Sequence, residues 1–265
     1  MIIFFLLGIY LDNSVKLPVG IKSNGLGGLV TLVDEGLSVF HNPAINSHTR
    51  FNFTLSRWVY NTNLLACGIE YKRSAIGLHY LNYGTIQGYD DYGIPTSKFA
   101  PYDLNIGIAK SFGPLGVCLK NFQTHIDSVF YFGITGGAGS YFNFHRIGVG
   151  FKIDDIGKEL ARDVEIPFLI ALGIEFLIGE DFEFFMEVKG KEFILSSGFQ
   201  YRYENLKIFA GIKYLKPSGY VKGLSLSDCH LSGGFVILFD EYELGYSFVY
   251  TEYSIAHQIG IVFNP

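Results

Sequence analysis

The sequence predicts an all-β protein: a transmembrane antiparallel β-barrel of about fourteen strands. Three observations carry this. From Arg50 onward, apolar and polar residues alternate with period two in run after run. The links between runs are short and long by turns, as in outer-membrane barrels. The recurring apolar face is made of large residues, yet only 17% of the chain is charged, below the roughly 25% of soluble domains.

Three regions follow in order. Residues 1–16 form a signal-like leader. Its apolar run Met1-Ile-Ile-Phe-Phe-Leu-Leu-Gly-Ile-Tyr10 is well short of the roughly twenty residues a membrane helix needs. It resembles the apolar core of a secretory signal but lacks the usual Lys/Arg start, as a truncated leader would. Residues 17–49 are glycine-rich and do not alternate cleanly. Residues 50–265 are the barrel. No other segment suits a transmembrane helix. A membrane chain of this kind must therefore be a closed barrel, because only helices and closed barrels satisfy every backbone group in lipid.

The expected strands are 50–60, 63–72, 74–83, 101–113, 114–123, 128–138, 141–153, 165–178, 181–190, 192–203, 206–215, 228–239, 241–251 and 254–264. The run Phe182-Glu-Phe-Phe-Met-Glu-Val-Lys189 shows the pattern. Phe182, Phe184, Met186 and Val188 share one face, and Glu183, Phe185, Glu187 and Lys189 the other, as a two-faced strand requires. Runs 206–214, 242–250, 168–177 and 147–153 alternate likewise. The last run carries Ile255, His257, Ile259, Ile261 and Phe263 on one face. It is similar to the C-terminal strand signal read by outer-membrane assembly machinery. Tight links are expected at Phe112-Gly-Pro-Leu115, Gly179-Glu-Asp181, Tyr203-Glu-Asn205 and Phe239-Asp-Glu241, and longer ones at 84–100, 154–164 and 216–227.

The apolar face is expected to point outward. A small interior would not hold so many Phe, Tyr, Ile and Leu side chains, and a water-facing exterior would carry more charge. Tyr71, Tyr80, Tyr102, Tyr201, Tyr214 and Tyr250, near strand ends, suit interfacial girdles. The polar face then lines the lumen with Glu70, Glu175, Glu183, Glu187, Glu241 and Glu243 against Lys72, Lys120, Lys152, Lys189, Arg202, Lys207 and Lys213, together with His79. The signs nearly balance, which favours internal ion pairs over an ion-selective pore.

Other chemistry finds little support. The net charge of −5 offers no basic field for nucleic acid. The seven histidines show no metal spacing, and no cofactor motif appears. Cys67, Cys118 and Cys229 are too few and too scattered for a disulfide framework and read as free thiols. No Gly-x-Ser-x-Gly elbow is present, so an enzyme is not expected.

The block Leu17–Asn46 resembles the start of the PorV/PorQ-type outer-membrane proteins, relatives of the FadL-like barrels. The matching positions are Pro18, Gly20, Gly25, Gly27, Gly28, Asp34, Glu35 and Asn42-Pro43-Ala44. Ile45 replaces the usual glycine after the alanine, and His41 stands where an aromatic is common. A non-alternating, partly polar segment cannot lie in lipid, and the resemblance implies that it plugs the lumen. The resemblance also implies two functions. One is an accessory or shuttle barrel of a secretion or surface-attachment system, binding protein partners through its outer loops. The alternative is a FadL-like passive transporter of small hydrophobic molecules. It would need a gap in the wall and an apolar pocket, for which Phe122, Leu177, Phe185 and Phe209 are the inward-facing candidates.

Overall fold

The computed structural model describes residues 17–46, 48–58, 61–90, 92–160, 164–166, 168–190, 193–215, 229–251 and 255–265. The expected leader and the expected long link at 216–227 lie outside them.

Fourteen strands form the wall: β1 Arg50–Arg57, β2 Asn63–Tyr71, β3 Ser74–Asn82, β4 Tyr102–Phe112, β5 Leu115–Ile126, β6 Val129–Phe144, β7 Ile147–Glu159, β8 Leu169–Ile178, β9 Phe182–Lys189, β10 Ile194–Tyr203, β11 Leu206–Leu215, β12 Cys229–Leu238, β13 Tyr242–Tyr250 and β14 Ile255–Phe263. Each pairs antiparallel with its chain neighbours. β1 pairs with β14, Phe51 opposite Phe263 and Arg57 opposite His257, which closes the barrel. Closure removes the sheet edges that lipid would leave unpaired.

The alternation turns the strands as expected. On β9, Met186 and Val188 are exposed while Phe185, Glu187 and Lys189 are buried. The same inversion runs round the wall: Ile69, Ile76, Ile108, Leu119, Leu172 and Ile259 are exposed, and Asn52, Glu70, His79, Lys120, Lys152 and Gln258 are buried. At one end every link is two or three residues long, at 72–73, 113–114, 145–146, 179–181, 204–205 and 239–241. The long links all lie at the other end.

Five expected elements differ: the strands 114–123, 128–138 and 141–153, the last losing residues 141–144 to β6, and the links 154–164 and 84–100. β5 and β6 run past the expected 114–123 and 128–138, and meet at Asp127 in a left-handed turn (φ 53°). The glycines at 133, 136, 137 and 139 carry no side chain to mark a face, so they hid the end of β6. The expected link 154–164 is largely strand, because β7 continues to Glu159 through a β-bulge. The register slips between Gly136 and Ala138, and Asp155 takes φ 60°. The bulge turns Asp154 and Asp155 inward together, which broke the period-two signal. The link 84–100 contains its own hairpin, Ile86–Tyr89 against Pro95–Phe99, with Tyr89, Tyr92 and Ile94 exposed near its tip.

Residues 17–46 fold against the inward faces of the strands. They open with a single helical turn, α1, Ile21–Gly25. Inward glycines around the wall make room for the segment. Ile21 lies over Gly245 and Gly260, Leu26 over Gly198 and Gly211, Thr31 over Gly150 and Gly173, Gly36 over Gly68, Val39 over Gly107 and Pro43 over Gly116. Much of the chain's high glycine content therefore serves close backbone approach inside the barrel.

A Cβ at Gly211 would strike the Leu26 carbonyl carbon and the Gly27 nitrogen, and one at Gly150 the Thr31 carbonyl. These are backbone atoms that cannot swing aside. Gly211→Val and Gly150→Val are therefore expected to detach the segment from an intact barrel. Outward-facing Gly136, whose added Cβ meets nothing nearer than 3.6 Å, is expected to tolerate valine. Trypsin cleavage after Lys22 reads the difference. Equal protection in all three variants would refute the packing argument.

Candidate functional site

The wall holds the segment mainly by its backbone. Glu187, buried on β9, accepts hydrogen bonds from the Val30 amide (3.0 Å), the Thr31 amide (2.7 Å) and the Thr31 hydroxyl (2.5 Å). Lys189, two residues on, pairs with Glu187 at 3.2 Å and donates to the Gly28 carbonyl. The Ser196 hydroxyl donates to the Gly27 carbonyl and the Ser232 hydroxyl to the Gly25 carbonyl, each at 2.9 Å. On the opposite wall Glu70 of β2 accepts from the Ser38 amide at 2.9 Å, and on β7 Lys152 donates to the Phe40 carbonyl at 2.7 Å. Gly27 and Gly28 take φ of 82° and 78°, a region open to glycine at little cost, and so aim these carbonyls at the wall. The Asn42 side-chain amide donates to the Thr31 and Ser140 carbonyls, while its oxygen accepts the Ala44 amide and fixes the Asn-Pro-Ala turn.

The bulge carries the densest charge. Lys120 on β5 reaches Asp154 at 2.8 Å and Asp155 at 2.5 Å, and Lys152 reaches Asp154 at 2.6 Å. All four are nearly inaccessible to solvent. Such a cluster persists only when every charge is matched.

Within the segment, Glu35 accepts the Lys22 and Ser23 amides at 2.9 and 3.1 Å, covering the exposed N–H groups of α1. Asp34 pairs with Arg50 at 2.5 Å. Burial raises the Glu35 pKa from 4.5 to about 7, against the pull of those two amides. Burial, aided by the Lys152 ammonium, lowers His41 from 6.5 to about 3. His41 is therefore neutral, its Nε2–H donates to the Val19 carbonyl at 2.8 Å, and its 3.7 Å approach to Glu35 is no ion pair.

The two groups oppose each other. A released Glu35 ionises above 4.5 while the docked one keeps its proton, so docking weakens as pH rises from 4.5 to about 7. A released His41 gains a proton below 6.5 while the docked one does not, so docking weakens as pH falls from 6.5 towards 3. Between 4.5 and 6.5 the slopes cancel. Docking of the unmodified segment is expected to be level there. Glu35→Gln is expected to tighten it with rising pH, by up to about tenfold per pH unit. Hydrogen exchange of the Lys22 and Ser23 amides measures this, and a level Glu35→Gln profile would refute it.

Between the segment and the long-link end lies a cavity of about 450 Å³. Its apolar lining includes Leu17, Val19, Phe40, Trp58, Leu169, Ile194, Leu215 and Val249. Its polar lining includes His41, His79, Lys120, Lys152, Asp154, Asp155, Lys189, Lys213, His230 and Ser232. A recess of about 60 Å³ at the short-link end is bordered by Lys22, Glu35, Arg50, Lys207 and Glu243.

The expected luminal residues divide accordingly. Glu70, His79, Lys120, Lys152, Glu187 and Lys189 are buried inside. Glu175, Glu183, Lys207, Lys213 and Glu243 are half-buried, Glu175 accepting the Tyr141 hydroxyl and Glu183 the Gln200 amide. Arg202 is exposed near the short-link end of β10. Two expectations are corrected. Lys72 sits exposed in the β2–β3 turn at φ 45°, and Glu241 is exposed in the link before β13. Alternation was carried one residue past the strand at each place. The expected apolar pocket is also corrected. Phe185 and Phe209 are covered by Ile21, Leu26 and Leu29 of the segment, and neither they, Phe122 nor Leu177 lines the larger cavity. Asp154, Asp155, Trp58 and His230 were missed. The first continues the inward series Gly148, Gly150, Lys152, a signal the sequence did contain.

No family model matches the chain, and no curated protein does. Solved structures do. The crystal structure of the Pseudomonas putida toluene transporter TodX matches with a TM-score of 0.61 at 14% identity, over 91% of this chain and 95% of that one. The TodX deltaS2S3 mutant monoaromatic hydrocarbon channel matches with a TM-score of 0.62 at 11% identity, over 92% and 97%. The likeness is one of fold and fits the FadL-like part of the resemblance: this chain is a closed fourteen-stranded barrel of the outer-membrane kind.

Proposed function

We propose that this chain is a passive outer-membrane channel for small hydrophobic molecules, and that residues 17–46 are the plug that closes its lumen in this state. The observation that carries the reading is the cavity of about 450 Å³, apolar towards the long links and floored by the segment. Small-molecule sites are commonly concave, largely apolar and of this size. The long links face the cell exterior, so a molecule enters the cavity from outside. The β6–β7 register slip lies beside Lys120, Asp154 and Asp155 of the cavity wall. It is the place for a gap through which an apolar molecule leaves sideways. The shared fold with TodX, a toluene transporter by name, supports the same reading.

Membership of the PorV/PorQ type, with its secretion role, rests on the residue 18–44 resemblance alone. The solved neighbours lend it no support. Uptake of labelled toluene by cells with and without the chain tests the channel. Expression is expected to raise the initial rate several-fold. Equal rates, together with a protein co-purifying at fixed stoichiometry, would replace the channel with the secretion accessory.

A further inference from the structure

The cavity's charges are already used. Lys120 is held by Asp154 and Asp155, Lys152 by Asp154 and the Phe40 carbonyl, and Lys189 by Glu187 and the Gly28 carbonyl. Three ammonium groups face three carboxylates, and Lys213 is engaged as well. An anion entering beside Lys120, Lys152 or Lys189 would lose its hydration and find their charges already matched. A bare hydrocarbon would leave other needs unmet. Trp58 and His79 both line the cavity, and among the described residues the Trp58 indole N–H and His79 Nε2 have no hydrogen-bond partner. Both sit among apolar side chains: Phe40 packs edge-on against His79 at 5.8 Å, and Trp58 packs against the cluster of Val19, Leu37 and Leu81. Buried polar atoms of this kind normally find a partner. A hydroxyl suits either group, because it accepts from an indole N–H and can donate to or accept from an imidazole nitrogen.

We infer that the cavity selects an uncharged molecule with an apolar body and one hydroxyl group, such as an alkanol or a phenol, over the hydrocarbon and over the carboxylate of the same body. This rests on the channel reading and narrows it.

Trp58 is the chain's single tryptophan and lies in the cavity wall, so a brominated probe reports its own arrival by quenching. Three probes share one body: 1-bromooctane, 8-bromooctan-1-ol and 8-bromooctanoate. With the full chain in nanodiscs and concentrations referred to free probe, the alcohol is expected to half-quench Trp58 at least tenfold below the carboxylate and several-fold below the bromoalkane. A carboxylate as effective as the alcohol would overturn the neutrality argument. A bromoalkane as effective would overturn the hydroxyl argument. Both results leave the channel reading standing, whereas no quenching by any probe would remove it too. Asp154→Asn with Asp155→Asn strips the lysines of their counter-charges. That variant, its folded barrel checked by heat-modifiable gel mobility, is expected to lower the half-quenching concentration of 8-bromooctanoate at least tenfold relative to that of the alcohol. No improvement would overturn the inference.

Discussion

Glu187→Ala is expected to free the N-terminal segment while leaving the barrel standing. One carboxylate accepts two amides and a hydroxyl of Val30 and Thr31 and matches the Lys189 charge. Its loss strands three donors and a buried ammonium. Breaking a buried charged pair of this kind costs about 3–5 kcal/mol. The wall strands depend on it little, since β9 keeps its ladders to β8 and β10. The cost should fall on docking, so hydrogen exchange at the Val30 and Thr31 amides should quicken by roughly a hundredfold or more. Unchanged exchange there would mean that the segment is held by packing alone.

Lys120→Met is expected to be the most destabilising single change in the wall itself. It leaves Asp154 and Asp155 adjacent and buried, with Lys152 alone to match them. A cost of about 3–5 kcal/mol follows from the uncompensated carboxylate. The bulge is where β6 and β7 already slip in register, so their ladder is the part expected to open first. The thermal midpoint in detergent should fall markedly, and Asp155→Asn added to Lys120→Met should recover part of it. A midpoint unmoved by Lys120→Met would show the cluster to be hydrated and energetically neutral.

The wall was legible in the sequence because a membrane barrel writes a period-two code on every strand. Val188 beside Glu187 and Ile108 beside Gly107 need no tertiary knowledge to assign to opposite faces. The code failed where a strand breaks its own period. Two inward aspartates in succession at the β7 bulge read as the start of a loop, and a glycine run in β6 read as a weak strand. It failed again one residue beyond strand ends, at Lys72 and Glu241, where the alternation is accidental.

The site was less legible for a different reason. Phe185 and Phe209 do point inward, but whether an inward phenylalanine lines a cavity depends on what covers it. Here Ile21 and Leu26 do, from a segment more than 150 residues away in the chain. The cavity itself is assembled from a link residue (Trp58), strand ends such as Ile194 and Leu215, and the segment's own Leu17, Val19 and Phe40. No local pattern joins these positions. The glycines that let the segment approach were visible as composition, yet their meaning depends on facing Ile21, Leu26 and Thr31 across the lumen.

Whether the segment closes the lumen is tested most directly by conductance in planar bilayers, comparing the full chain with one lacking residues 17–46. The full chain is expected to be silent apart from rare openings, and the shortened chain to show steady, well-resolved steps. Equal conductance in the two, whether open or closed, would contradict the claim that this segment closes the lumen.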